Sequence, residues 1–567
     1  MAAAPAGAAT PPTVVAPGSN RGRWIIALGV AGVAIAVAIG AMLMMSSPTT
    51  PEALRYVPGD SAFVAELRMD MPGDQMQNLG NLLAHFPGFA DQSTLPDKVD
   101  EALSQFVDMV AGLEADYRTD LKPWLNGALF VGAAAPSGSL EAEGSDQAVV
   151  SATTNGAVSC TAAFEGQTVT NESYRGLDLV LSADGSMACV VDGRQALIGS
   201  AAMVRKALDA KADGSGMDKR AEYASARTAL GGDRLATLYV DGVSLQQLMP
   251  SQGDMPGMPA LSGLTPTLPA WMMAGIRAED DALVFDAVTA PIPAATAGPS
   301  LLPMPAGHAS LIAPLLPSDT LAYLEVQGAG VALQNLLTQL RVVPELAQPL
   351  AMLEGLGGAG GLVGWIDDVG VAFSMEGQAP EAALILIARD DATASSTVSS
   401  LTTMLALAGF GGGIVVSEET INGVQVTTVI VTDLGAVIPP GSVPGMEIPP
   451  MDGPISFSIA ARGRAVVLAF GDGAMAGLLA TSPGSSLVDT AAFKQAAERG
   501  IANSQTTMYV AAGATIELAK GFVPAEELAQ FEANLAPYLD PLEAVLMSAS
   551  NDATGARSRI VITVTTP

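Results

Sequence analysis

The sequence predicts an α+β fold: a single N-terminal transmembrane helix followed by two tandem, internally duplicated domains of antiparallel sheet with flanking helices. Three observations predict it. An uncharged apolar run fills Trp24 to Met45. Short motifs recur in one order along both halves of the remaining chain. Alternating apolar stretches bounded by turn residues dominate each half, with segments of helical period between them.

The apolar run, "WIIALGVAGVAIAVAIGAMLMM", is long enough at about 1.5 Å per residue to cross a hydrocarbon core of about 30 Å. Arg21 and Arg23 precede it, whereas Glu52 is the only charged residue between Ser46 and Ala53, so the positive-inside tendency places the N-terminus in the cytoplasm. The run exceeds a signal-peptide core and no small-x-small site follows, which favours an anchor over cleavage. Residues 1–23 then form a cytoplasmic disordered tail, 24–45 the membrane helix and 46–54 a juxtamembrane linker. The rest is expected to be extracytoplasmic at a bacterial cell membrane.

The duplication opens on "VPGDSAFVAEL" at Val57 to Leu67 and "LPSDTLAYLEV" at Leu316 to Val326. Each reads as a Pro-x-Asp-Ser/Thr turn leading into a strand. "QNLGNLLAHFP" from Gln77 meets "QNLLTQLRVVP" from Gln334, "WLNG" at Trp124 meets "WIDD" at Trp365, and "TLYV" at Thr237 meets "TMYV" at Thr507. "YRGL" at Tyr174 meets "INGV" at Ile421, and both centre on hairpin-turn dipeptides. These marks divide the chain into repeat 1 over 55–290, a Pro/Ala-rich linker over 291–310 and repeat 2 over 311–567. From Thr94 a capping-box start precedes Val99, Leu103, Phe106, Val110 and Leu113 on one helical face. Repeat 2 alone has a helix-like run from Ala392 to Gly409 after its strand "EAALILIARDD".

With 57 acidic residues against 26 Lys and Arg, the chain carries a formal net charge of −31, which opposes nucleic acid as a partner. Cys160 and Cys189, the two cysteines, are expected on neighbouring strands facing inward; a disulfide and two buried free thiols both fit that placement. His85 and His308 are too few for His-based catalysis or a His/Cys metal site. "GLGGAG" at Gly355 lacks a preceding strand, and the calcium-loop-like "DAKADGSGMDKR" at Asp209 puts Lys211 and Arg220 where oxygen ligands belong. The acid pairs Asp280-Asp281, Asp367-Asp368 and Asp390-Asp391 each have a turn or cap explanation. Glu66 and Glu325, recurring within the first strand of each repeat, have none.

"ALRYVPGDSAFVAELRM" at Ala53 to Met69, "DYRTDLKPWLNGALFVG" at Asp116 to Gly132 and "NESYRGLDL" at Asn171 to Leu179 resemble the bacterial membrane-anchored domain of unknown function 3352 family, DUF3352. The resemblance implies an N-terminal anchor and an extracytoplasmic region, and no reaction. The expectation is a non-catalytic binding or scaffolding module of the cell envelope, without cofactor or metal, held to the membrane through Trp24 to Met45, its envelope partner unidentified. The alternative is a carrier or chaperone for an apolar ligand, lipid or polypeptide, using Pro/Met-rich loops that contain Met255, Met258, Met446 and Met451.

Overall fold

The computed structural model describes residues 52–68, 71–87, 89, 125–135, 147–155, 159–161, 164, 168–248, 268–292, 305–340, 363–377, 379–409, 413–432 and 454–565. The membrane segment 24–45, the helix expected from Thr94, the Gly355 loop and all four singled-out methionines lie outside these residues. No helix among the described residues is long and apolar enough to cross a membrane.

The protein is a mixed α/β structure dominated by one large antiparallel sheet with flanking helices. In the first half the strands are β1 (Phe63–Arg68), β2 (Leu125–Ala133), β3 (Ala148–Thr154), β4 (Thr170–Tyr174), β5 (Leu177–Leu181), β6 (Met187–Asp192), β7 (Gln195–Ser200), β8 (Ala236–Asp241), β9 (Trp271–Glu279) and β10 (Ala282–Thr289). The second half supplies β11 (Ala322–Val326), β12 (Ile366–Glu376), β13 (Ala379–Ala388), β14 (Ile414–Ile421), β15 (Val424–Val431), β16 (Ile455–Arg462), β17 (Ala465–Phe470), β18 (Thr506–Val510), β19 (Leu542–Asp552) and β20 (Gly555–Val564).

Pairing runs β4-β5-β6-β7-β3-β2-β1-β8-β9-β10 through the first half. It continues β20-β19-β18-β11-β12-β13-β17-β16-β15-β14 through the second. The two meet where β10 pairs with β20, from Ala282 opposite Thr563 to Val288 opposite Arg557. Read inward from either edge, the order is the same, each strand of the first half matched by the one ten places later. A bridge from Pro58 to Gly216 likewise has its counterpart from Pro317 to Ser486.

Helices cover the two faces unequally. On one face, α2 (Ala201–Asp213) starts where the Ser200 hydroxyl accepts the Met203 N–H at 3.3 Å, and ends at Gly214 with φ +66°. It is followed by α3 (Ala221–Leu230), whose Tyr223, Ala226 and Leu230 pack with Val64, Phe130, Tyr239 and Met273. The second half repeats this with α7 (Ala474–Ala480) and α8 (Ala491–Arg499), where Phe493 and Ala496 pack with Tyr323, Tyr509 and Leu546. The opposite face carries α1 (Gln75–Ala84), whose Leu79, Leu82 and Leu83 lie over Leu67, Leu129, Ile276 and Phe285. It also carries α6 (Asp391–Gly409), whose Ala394 and Val398 lie over Leu386, Val466 and Leu468; α4 (Gly242–Leu248) follows β8, and α5 (Ala329–Leu340) follows β11 and packs against β12. The segment between β3 and β4 holds no matching helix among the described residues.

Two expectations need correction. Cys160 sits in a turn between β3 and β4, not on a strand, because the chain after Asn155 leaves the ladder; it is bonded to Cys189 of β6 with 5.4 Å between Cα atoms. Residues 305–310, expected as linker, are bonded to the second half. The Gln505 amide donates to the Pro305 carbonyl at 2.6 Å, and Gln327 both accepts from the His308 N–H at 2.7 Å and donates to its carbonyl at 2.8 Å.

Candidate functional site

The sheet's two faces differ in chemistry, and the register shows how. On the face under α3 and α8, cross-strand neighbours form a row Glu66–Thr237–Gly275–Asp286–Arg559–Ser548–Thr507–Glu325. The row spans eight strands, and most of its side chains are buried beneath the helices. Its ends are the two glutamates that turn chemistry left unassigned.

The row's polar groups hold the loops leaving α3 and α8. Glu66 accepts from the Thr237 hydroxyl at 3.1 Å and pairs with Arg227 of α3, with Arg68 at 3.6 Å. Asp286 is surrounded by Arg234 at 3.1 Å, Arg277 at 3.3 Å and Arg559 at 2.6 Å. Burial pushes the Arg234 guanidinium below its ordinary value, opposed by the Asp286 charge. Ser548 accepts the Ile501 N–H at 2.9 Å, and Arg559 donates to the Arg499 carbonyl at 2.9 Å. The cavity beside Glu66, lined by Arg68, Arg227, Gly232, Arg234 and Thr237, is about 20 Å³, the size of one water and too small for an organic substrate.

At the other end, Glu325 bonds to the Ser310 hydroxyl, and Asp368 accepts the Gly328 N–H at 3.0 Å. The His308 ring approaches the second Asp368 oxygen at 3.4 Å. Burial pushes the Glu325 carboxyl above its ordinary value and the Asp368 charge adds to that; bonds from Ser310 and Gln327 and the His308 ring oppose it. His308, assigned to the linker, is therefore brought to a buried acid pair, a neighbour that no local motif signals.

Of the acid pairs expected in turns or caps, Asp280-Asp281 and Asp390-Asp391 fall at a turn and a helix cap, whereas Asp367 and Asp368 lie within β12, where partners across the sheet and not turn chemistry engage them. Asp390 accepts the Thr393 N–H at 2.7 Å as a helix cap, and Asp367 pairs with Arg464 at 2.6 Å. Asp280 and Asp281 form the β9–β10 turn, bonded by Asn81 of α1 and by Gln495 and Arg499 of α8. In the calcium-loop-like stretch, Asp209 is engaged by Tyr174 and Arg175, and Lys211 pairs with Asp192 at 2.6 Å. His85 closes α1. No group of three or more His, Cys, Asp or Glu side chains among the described residues is placed to hold a metal ion.

The opposite face offers no charge at all over eleven strands. Its middle row reads Leu67–Ala236–Ile276–Phe285–Ile560–Met547–Met508–Leu324–Val371–Leu384–Leu468. The flanking rows, Leu283 to Phe470 and Ala65 to Val466, add only the hydroxyls of Ser558 and Thr506. An antiparallel sheet with one covered face ordinarily turns polar residues to water on the other. Among the described residues α1 covers one end of the apolar rows and α6 the other, α5 packs against β12, and side chains between them stay exposed. Phe373 is 53% exposed, Met508 44%, Leu324 42% and Ile560 39%. Sequence reading pointed to Met-rich loops for apolar contact and missed this face, whose only local sign is strand alternation in "TTMYV" and "ARSRIVITV".

Three crystal forms of a protein named TP0453 are similar in part. Form III is 11% identical with a TM-score of 0.22, covering 43% of this chain and 80% of that one. Form I is 8% identical with the same score, covering 42% and 79%. Likeness at that score carries no functional information. No curated protein matches the chain. The family model described as "Protein of unknown function (DUF3352)" matches residues 23–564, nearly the whole chain, and the protein belongs to that family.

Proposed function

We propose that the protein is a single-pass, membrane-anchored, extracytoplasmic binding module, built by tandem duplication and without catalytic activity. The uncharged sheet face between α1 and α6 carries this reading, because an exposed apolar surface of that extent marks a contact site. The anchor rests on the apolar run Trp24 to Met45 and its flanking Arg21 and Arg23. A Cys160–Cys189 disulfide suits an oxidising compartment. Duplication is supported by the strand order that repeats with an offset of ten, β1 to β10 in one repeat and β11 to β20 in the other. The buried acids Glu66 and Asp286 are held in ion pairs, and Asp368 and Glu325 by hydrogen bonds.

The test is residue-specific photocrosslinking of the full chain in native membranes. A photoreactive residue at Met508 is expected to capture a contacting molecule, whereas one at Asp552, in the exposed β19–β20 turn, is not. Equal capture at both positions, or none at either, overturns the reading. So does hydrolytic turnover that is lost in Glu325→Gln.

A further inference from the structure

Among the described residues the open part of the apolar face runs from β20 across β19, β18 and β11 to Phe373 of β12. Four strand spacings make it about 19 Å wide. We propose that this trough takes the hydrocarbon chains of membrane lipid, an assignment that rests on the binding-module reading above.

The chemistry of the trough selects hydrocarbon. Each strand beneath it is hydrogen-bonded on both sides, so its backbone presents no free donor or acceptor to an extended polypeptide. The side chains that reach into it, Phe373, Leu324, Met508, Met547 and Ile560, offer apolar surface alone. Unbranched Met side chains adapt to a flexible partner. A second copy would bring a formal charge of −31 against −31, and the repulsion weighs against self-association through a face that has no ion pair to offset it. Geometry also places hydrocarbon nearby. The apolar run ends at Met45 and the described chain begins at Glu52, seven residues that reach at most about 25 Å. The start of the folded chain, where Ala53 and Leu54 pack on the α3 face, is thus tethered within one bilayer thickness of acyl chains.

The experiment reconstitutes the full chain in phosphatidylcholine vesicles containing a trace of phosphatidylcholine with a diazirine on one acyl chain. After irradiation, labelled peptides are mapped by mass spectrometry. Labelling is expected on peptides containing Leu324, Met508, Met547 and Ile560, in addition to the anchor itself. Met508→Asp and Ile560→Ser should each lower trough labelling at least tenfold while leaving anchor labelling unchanged, and Met508→Leu should retain it. These side chains are more than a third exposed, and circular dichroism melts establish that each variant folds. Labelling confined to Trp24 to Met45, or unaltered by the aspartate and serine variants, overturns the lipid assignment. It is overturned equally if photocrosslinks from Met508 in native membranes reach a polypeptide, a second copy or residues 94–113 of the same chain. With another polypeptide or a second copy the binding-module reading stands without lipid; if position 508 reaches only residues 94–113, or captures neither lipid nor polypeptide, both fall.

Discussion

Glu66 and Glu325 occupy the same place in the two halves, yet their charges are met differently. Aligning the halves on Thr237 and Thr507 sets Arg227 opposite Ala497, and aligning them on the two glutamates sets Arg68 opposite Gln327. Glu66 therefore has guanidinium groups on two sides, and Glu325 has a hydroxyl, an amide and the approach of one half-exposed histidine. Burial then dominates, and the Glu325 carboxyl titrates above its ordinary value. A raised native value means that its contribution to stability is complete below about pH 4.5, where the unfolded side chain is also protonated, and is lost as pH rises through the native value. Glu325→Gln keeps the shape and removes the charge. Urea midpoints of the full chain and this variant are expected to lie together near pH 4 and to separate as pH rises, with the variant the more stable at pH 8. Midpoints that stay together over this range would show that the Glu325 carboxyl is not raised above its ordinary value in the folded state.

At the scale of elements, what was legible is what local chemistry decides. Arg175 and Gly176 between β4 and β5, and Asn422 and Gly423 between β14 and β15, all take positive φ, as a two-residue turn matched to strand twist requires. The Asp390 cap, the turn into β1 and the long α6 are likewise written in adjacent residues. Gly423 isolates the backbone contribution, since φ is +80° and a Cβ there meets nothing within 4 Å. Gly423→Ala is expected to destabilise by about 1 kcal/mol and Gly423→Asn by clearly less, because Asn tolerates the left-handed region. Thermal melts of both variants check this, and equal losses would point to packing instead. What was not legible depends on register. Glu66 lies 161 residues from Arg227, and Met508 becomes part of an apolar row only when β18 is set between β11 and β19. A single strand shows alternation without showing which face meets water. The Met-rich inserts drew notice because methionine is conspicuous in sequence, whereas the face built from Leu, Ile, Val and two scattered methionines reads locally as ordinary core.

At the scale of the whole molecule, the duplicated plan is closed by a contact that no motif announces: β10 and β20, the last strands of their halves, pair edge to edge. That junction hides two edges that would otherwise invite aggregation. It is reinforced across the halves by Asp286 with Arg559 and by Arg499 with Glu279 and Asp281. Asp286 is buried among three guanidinium groups, so removing it strands charges in a low-dielectric site, an effect of about 3–5 kcal/mol for a broken buried pair. The covalent linker is then secondary to the sheet. Cutting the chain within 293–304, at an engineered protease site, is expected to leave the halves co-eluting as one particle in native gel filtration. The same cut in Asp286→Ala should yield separated or aggregated halves at equal protein concentration, with Glu325→Gln as a control that leaves the junction intact. If the cut chain separates without any substitution, the linker holds the halves together and the β10–β20 ladder does not.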